Sequence, residues 1–237
     1  MRPALREAGP TRSCATTDRR TLRTRVALRD ALAAEIQATG DLSKVTVTAV
    51  AERSGLTRRT FYSHFRDIPD LVGQVEDETL SELRPLVRAI AASSLDELQE
   101  SIEKLDACPG SVELLEYFKA RGAYLAALLG DGGDPAFTRR MEAMVREEVS
   151  ERATQGLDLG ALGPFFDYYL TYAISAEVGV LVRWLTTGMR EGVGVMARLM
   201  TALMFVRPGD LYGKNLDFDV RKFGLALMFL KEGENDR

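Results

Sequence analysis

The segment 46–65, Thr-Val-Thr-Ala-Val-Ala-Glu-Arg-Ser-Gly-Leu-Thr-Arg-Arg-Thr-Phe-Tyr-Ser-His-Phe, constrains this chain more than any other. Thr46 and Thr57 each precede a short run free of Gly and Pro, where a hydroxyl can cap the first free N–H groups of a helix. Between them stands Gly55, the residue that takes a left-handed backbone at least cost. Two short helices hinged at Gly55 follow, one over 47–54 and one from 57 to about 64. Ala51 is small enough for a close helix crossing, and Val50, Leu56 and Phe61 can fill the wedge. That is a helix-turn-helix, whose second helix lies in a DNA major groove with its N-terminal residues toward the base edges.

The second helix carries groups suited to that role. Arg58 and Arg59 have no evident core partner, and Arg pairs bidentately with guanine. Tyr62 and Ser63 also face away from the wedge. Thr57, Thr60, Tyr62 and His64 can donate to phosphate oxygens, which fix register without reading sequence. Thr46 stands at the head of the first helix for the same use.

Charge divides along the chain in the same sense. Residues 1–66 hold 13 Lys and Arg against 6 Asp and Glu, a net +7. Residues 67–237 hold 18 against 29, a net −11. A basic first quarter seeks a polyanion and an acidic remainder avoids it.

The rest reads as helix. Residues 1–18 lack periodicity and read as a mobile basic tail. Leu28, Leu32 and Ile36 mark one face of a helix over 19–39 that Gly40 ends. Asp67 caps a long helix that Pro85 should kink or end. Ser94 and Glu97 form a capping box. Residues 111–129 are apolar-periodic throughout. Asp134-Pro135 opens a helix to about 153, and further helices run over 164–187 and 192–206. Leu216, Val220, Phe223, Leu227 and Leu230 make a stripe on a last helix. The count is nine or ten helices with no strand alternation, an all-α chain. Four parts follow: a tail over 1–18, a reading head over 19–66, a helical effector-binding and dimerisation body over 67–206, and an amphipathic extension over 207–237.

Several chemistries are excluded on this pattern. Charges interrupt every apolar run short of a membrane span. Cys14 and Cys108 make neither a C-x-x-C pair nor a disulfide framework, and one histidine leaves little for a metal. Cys108 sits in an apparent loop, where a redox sensor is conceivable. The run Gly130-Asp131-Gly132-Gly133 follows a helix and lacks a Gly-Lys-Ser/Thr ending, so it is a helix–helix loop rather than a phosphate cradle. The run Glu76-Asp77-Glu78 and the pair Glu147-Glu148 with Glu151 read as solvated faces. No cofactor motif or nucleophile–base pair supports an enzyme.

With Thr46-Val47, Ala51 to Leu56, and Thr60-Phe61-Tyr62-Ser63-His64-Phe65 in place, residues 19–72 resemble the DNA-binding domain of the TetR/AcrR family of bacterial transcriptional regulators. Residues 61–67 and 128–137 further resemble the branch that includes dihydroxyacetone-kinase regulators such as DhaS. The resemblance implies a cytoplasmic, nucleoid-associated homodimer on a pseudo-palindromic double-stranded operator, a ligand-responsive repressor with an unknown small-molecule effector. It implies phosphate contacts from the start of the first helix, at Thr24 and Arg25. Many members carry a phosphate-contacting Lys where this chain has Ile68, so Arg66 is the substitute. It also implies a dimer interface, for which the helices 164–187 and 192–206 are the candidates, and an effector pocket, for which Phe118, Tyr124, Tyr168, Tyr172 and Trp184 are the aromatic candidates. The alternative keeps DNA binding and replaces the small ligand with a protein partner.

Overall fold

A computed structural model describes residues 12–153 and 164–204. All regular structure among them is helical: α1 (Arg12–Thr39), a 3-10 turn (Leu42–Lys44), α2 (Val47–Arg53), α3 (Arg58–Tyr62), α4 (Ile68–Ala91), α5 (Leu95–Glu103), α6 (Ser111–Ala120), α7 (Gly122–Leu129), α8 (Pro135–Ala153), α9 (Pro164–Thr186) and α10 (Val193–Leu203). The extension over 207–237, with its apolar stripe, lies outside the described residues.

Local signals set most helix starts. The Thr46 hydroxyl accepts from the Ala49 N–H, the Thr57 hydroxyl from Thr60, and the Asp67 carboxylate from Asp70. Ser94 and Glu97 cap each other reciprocally. Asp134 accepts from the Ala136 N–H at 2.7 Å ahead of Pro135. Each cap satisfies a donor that the helix itself leaves without a partner.

Three boundaries differ from the sequence expectation. Helix α1 begins at Arg12, inside the stretch read as a mobile tail. Helix α4 runs through Pro85 without ending. Proline removes one rung of the helix ladder, at a cost of about 3 kcal/mol. Contacts on both sides offset it: Leu83 and Val87 are buried, and Arg84 and Arg88 both hold Glu148 of α8. The apolar run over 111–129 breaks into α6 and α7 at Arg121. There the backbone leaves the helix at φ −114° and ψ 8°, and the guanidinium lies 3.9 Å from the Tyr117 ring centroid and 2.9 Å from Glu82.

One continuous apolar core joins head and body. Leu28, Leu32 and Ile36 of α1 are buried as their spacing requires, and α1 packs against α2 and, more extensively, α7. Helix α4 lies on α8 and α6, α9 covers α7 and α8, and α10 covers α6 and α5.

Candidate nucleic-acid interface

The head assembles as two helices across Gly55, whose φ is +68°. The Leu56 N–H donates to the Ala51 carbonyl at 3.0 Å, which closes the turn. Val50, Ala51 and Phe61 are buried and Leu56 packs against them, so the wedge forms as its residues predict. Phe61 in turn meets Phe65 at 5.8 Å between ring centroids and the exposed Tyr62 edge-on at 5.6 Å.

With Phe61 turned inward, the opposite face of α3 is polar and open. Arg58, Arg59, Tyr62 and Ser63 are exposed, and Thr60 and His64 are half-buried. Among the described residues, no carboxylate lies within ion-pair distance of Arg58 or Arg59. Thr57 and Thr60 share a hydroxyl contact of 2.9 Å, and Ser63 donates to the Thr60 carbonyl at 2.6 Å. These three hydroxyls therefore serve the helix before they serve a ligand. Thr46 stays exposed beyond its capping bond.

The flanking candidates divide. Arg66 is exposed over 85% of its side chain, with a long contact of 3.4 Å to Asp70. Ile68, where a lysine would sit, is a buried first residue of α4 and cannot reach a phosphate. Thr24 and Arg25, expected at the start of the first helix, lie in the middle of α1, where the Thr24 hydroxyl donates back to the Arg20 carbonyl at 3.0 Å. Arg25 is committed inward: it donates to Gln74 at 3.0 Å, pairs with Glu78, and lies 4.9 Å from the Phe65 ring centroid. The structure thus brings Arg58, Arg59, Tyr62, Ser63 and Arg66 to the open side of the head and spends Arg25 on joining α1 to α4.

The five aromatic pocket candidates do not converge. Phe118, Tyr124 and Trp184 are core residues, and the Trp184 indole N–H donates to the Glu191 carbonyl at 3.0 Å. Tyr124 meets the Thr79 hydroxyl at 3.4 Å and carries the Arg29 guanidinium 4.2 Å from its ring centroid. Tyr168 and Tyr172 point the other way, 78% and 71% exposed on the outer face of α9. A helical period cannot say which face of α9 a core will take, and here it took the aliphatic one of Leu170, Ile174, Val178, Leu181 and Leu185.

Two acidic runs read as solvated are partly interior. Glu148 is buried, its carboxyl held below its ordinary range by hydrogen bonds from Arg88 and Arg84 that outweigh desolvation. Glu76 is 2% exposed; burial and the neighbouring Asp134 carboxylate push it up to about 7, against the pull of Arg140. Cys108 is buried too, and burial raises its thiol, which argues against a redox sensor.

A family model for bacterial regulatory proteins of the tetR family matches residues 31–75. A second, for a transcriptional regulator C-terminal region of the same family, matches residues 107–205. No curated protein matches the chain. Among solved structures, the crystal structure of a TetR transcriptional regulator from Streptococcus agalactiae 2603V is similar, with a TM-score of 0.50 and 21% identity. The match covers 80% of this chain and 98% of that one, a likeness of fold.

Proposed function

The chain belongs to the TetR family of bacterial regulatory proteins, and we propose that it acts as a homodimeric, ligand-responsive repressor on a pseudo-palindromic operator. Members of this family are DNA-binding transcription factors rather than enzymes. The observation that carries the reading is the pair of unpartnered guanidiniums, Arg58 and Arg59, on the open face of a helix whose other face Phe61 locks into the core. Arg58, Arg59, Tyr62 and Ser63 are the groups for base edges. Thr46, Thr57, Thr60, His64 and Arg66 are the groups for phosphates, with Thr24 at the margin.

Dimerisation is supported by two apolar faces that the described residues leave open. Helix α9 exposes Tyr168, Tyr169 and Tyr172, and α10 exposes Val195, Leu199, Leu203 and Met204. Several large apolar side chains left open along one helix mark an interaction site more than single scattered ones do. Two heads on such a dimer would meet successive major grooves on one side of a duplex. An effector would act by binding one dimer shape more tightly than another. No helix among the described residues is long and apolar enough to cross a membrane, in keeping with a cytoplasmic regulator. The DhaS-like wording at 61–67 and 128–137 brings no ligand with it.

A second reading, control by a protein partner, is favoured by the filled core at Phe118, Tyr124 and Trp184, where an aromatic-lined pocket was expected. One experiment addresses both. Random duplex DNA is selected with the purified protein at fixed moderate salt, beside an Arg58→Ala, Tyr62→Ala variant. A two-fold symmetric motif enriched by the wild type and lost in the variant supports the dimeric regulator and needs no partner. Enrichment only after cell extract is added favours the second reading, and an asymmetric or unchanged motif refutes the first.

A further inference from the structure

The loop over 130–134, between α7 and α8, touches both the head and the buried acid of α4. At one end the Leu42 N–H, in the turn leading to the reading helices, donates to the Gly132 carbonyl at 2.8 Å. Gly132 lies so close to the end of α1 that a Cβ there would stand 2.6 Å from the Gly40 carbonyl oxygen. The seat thus admits glycine alone. At the other end Asp134 caps α8 and faces Glu76. Oxygen Oε2 of Glu76 accepts from Arg140 at 2.8 Å, while Oε1 is buried with no hydrogen-bond partner. A buried acceptor left without a donor is costly. It costs less if the oxygen carries its own proton, because a carboxylic acid then donates where a carboxylate repels.

We propose that a proton held on Glu76 latches the 130–134 loop to α4 through Asp134, so that proton uptake at Glu76 tightens the joint between the body and the DNA-reading head. The proton sits on Oε1 of Glu76 and is donated toward the Asp134 carboxylate. Its loss leaves two carboxylates facing each other, while Arg140 reaches Glu76 with one arm and Asp77 with the other. Among the described residues, the other ion pairs on and around α4 do not reach Glu76. Arg25 and Arg29 of α1 pair with Glu78 and Asp30, Arg121 pairs with Glu82, and Arg84 and Arg88 hold Glu147 and Glu148 of α8. The Tyr124 hydroxyl of α7 meets Thr79, and the Tyr117 phenol of α6 is pushed up by burial and stays neutral.

Opening the loop exposes Glu76 to water, where its pKa returns to the ordinary value of 4.5 from about 7. The closed joint is then fully favoured below the lower value. It loses up to about tenfold per pH unit between the two, and loses no more above the higher one.

The test is hydrogen exchange of the full-length protein at the Leu42 amide, corrected for intrinsic rates, from pH 5 to 8.5. The wild type should lose protection steeply from pH 5 to about 7 and then level off. Glu76→Gln, whose amide can both accept from Arg140 and donate to Asp134, should stay protected throughout, and Asp134→Asn should flatten the same profile. Glu177 on α9 is also raised to about 7, by burial alone, so Glu177→Gln should leave the wild-type profile in place. A wild-type profile flat with pH, or a slope that survives both Glu76→Gln and Asp134→Asn, overturns the proposal. The latch rests on the regulator reading only for its consequence. A responsive Leu42 amide in a protein that selects no DNA would keep the joint and sink the regulator.

Discussion

Replacing Arg25 by alanine should damage the fold and spare the DNA contact, the reverse of what a phosphate-binding arginine would do. Three terms set the size of the effect. The charged hydrogen bond to Gln74 contributes about 1.5 kcal/mol. The guanidinium over Phe65 adds about 0.5–1 kcal/mol. The half-exposed pair with Glu78 adds about 0.5 kcal/mol or less. A loss of about 2–3 kcal/mol lowers Tm by roughly 5–10 °C in a chain of this length. For DNA, the open guanidiniums of each head are Arg58, Arg59 and Arg66. Of these Arg66 is the one placed for phosphate, and one such contact per head across a dimer contributes about −2 to the slope of log K against log salt. Arg66→Ala should make the slope shallower by about 2 units, and Arg25→Ala should leave it alone. Thermal melting by circular dichroism and fluorescence anisotropy on a selected operator, titrated with salt, measure the two effects separately. A slope reduced by about 2 units in Arg25→Ala at unchanged Tm would refute the assignment of Arg25 as an internal strut.

Pro85 is exposed in the middle of α4, so Pro85→Ala restores a helix rung without opening a cavity. Urea unfolding should show a gain of about 1–3 kcal/mol, and a loss would mean the ring itself is needed. A Tyr168→Glu, Tyr172→Glu double variant places charges on the outer face of α9. Sedimentation should report monomer at concentrations where the wild type is dimeric, and an unchanged mass would move the interface elsewhere. Glu76 ties overall stability to pH. Its folded pKa of about 7 lies above the ordinary 4.5, so its contribution is complete below pH 4.5 and lost as pH rises through 7. The span is at most about 3 kcal/mol, and denaturant unfolding of the wild type should lose this slope in Glu76→Gln.

What the residues announced in advance was what spans three or four positions. The caps at Thr46, Thr57, Asp67, Ser94 and Asp134 are bonds between a side chain and a backbone three residues away or nearer, so the local string contains both partners. The wedge of Val50, Leu56 and Phe61 was legible because the turn at Gly55 leaves one way for two short helices to close. What depended on distant partners was not. Nothing near Glu148 names Arg84 and Arg88, which lie about sixty positions earlier. Nothing near Arg25 names Gln74 and Glu78, and a string of Glu and Asp looks the same whether it faces water or a guanidinium. The three glycines at 130, 132 and 133 did carry a signal, a need for close backbone approach. Gly132 approaches the chain's own residue 40, and Gly130 and Gly133 approach carbonyls of α7, not a phosphate.

The placement of these long-range contacts decides how a change in the body can reach the head. Helix α4 is about 36 Å long by its 24 residues, and charge pairs hold it at both ends. Near its start Gln74 and Glu78 grip α1, and Glu76 and Asp77 grip α8 through Arg140. Further on, Arg84 and Arg88 grip α8 through Glu148. Helix α1 meanwhile packs on α2 in the head and on α7 in the body. A head tied to the body through both α1 and α4 cannot swing on a single linker. Its supports α1 and α4 rest chiefly on α7 and α8, and the 130–134 loop is where those two helices join. A ligand, partner or proton that alters the α7–α8 junction therefore acts on both supports of the head at once. One that alters α10 must first work through α5 or α6. Substitutions at Gly132 and Asp134 should accordingly change the preferred spacing of operator half-sites, and substitutions at Arg58 and Arg59 should change the bases read within each.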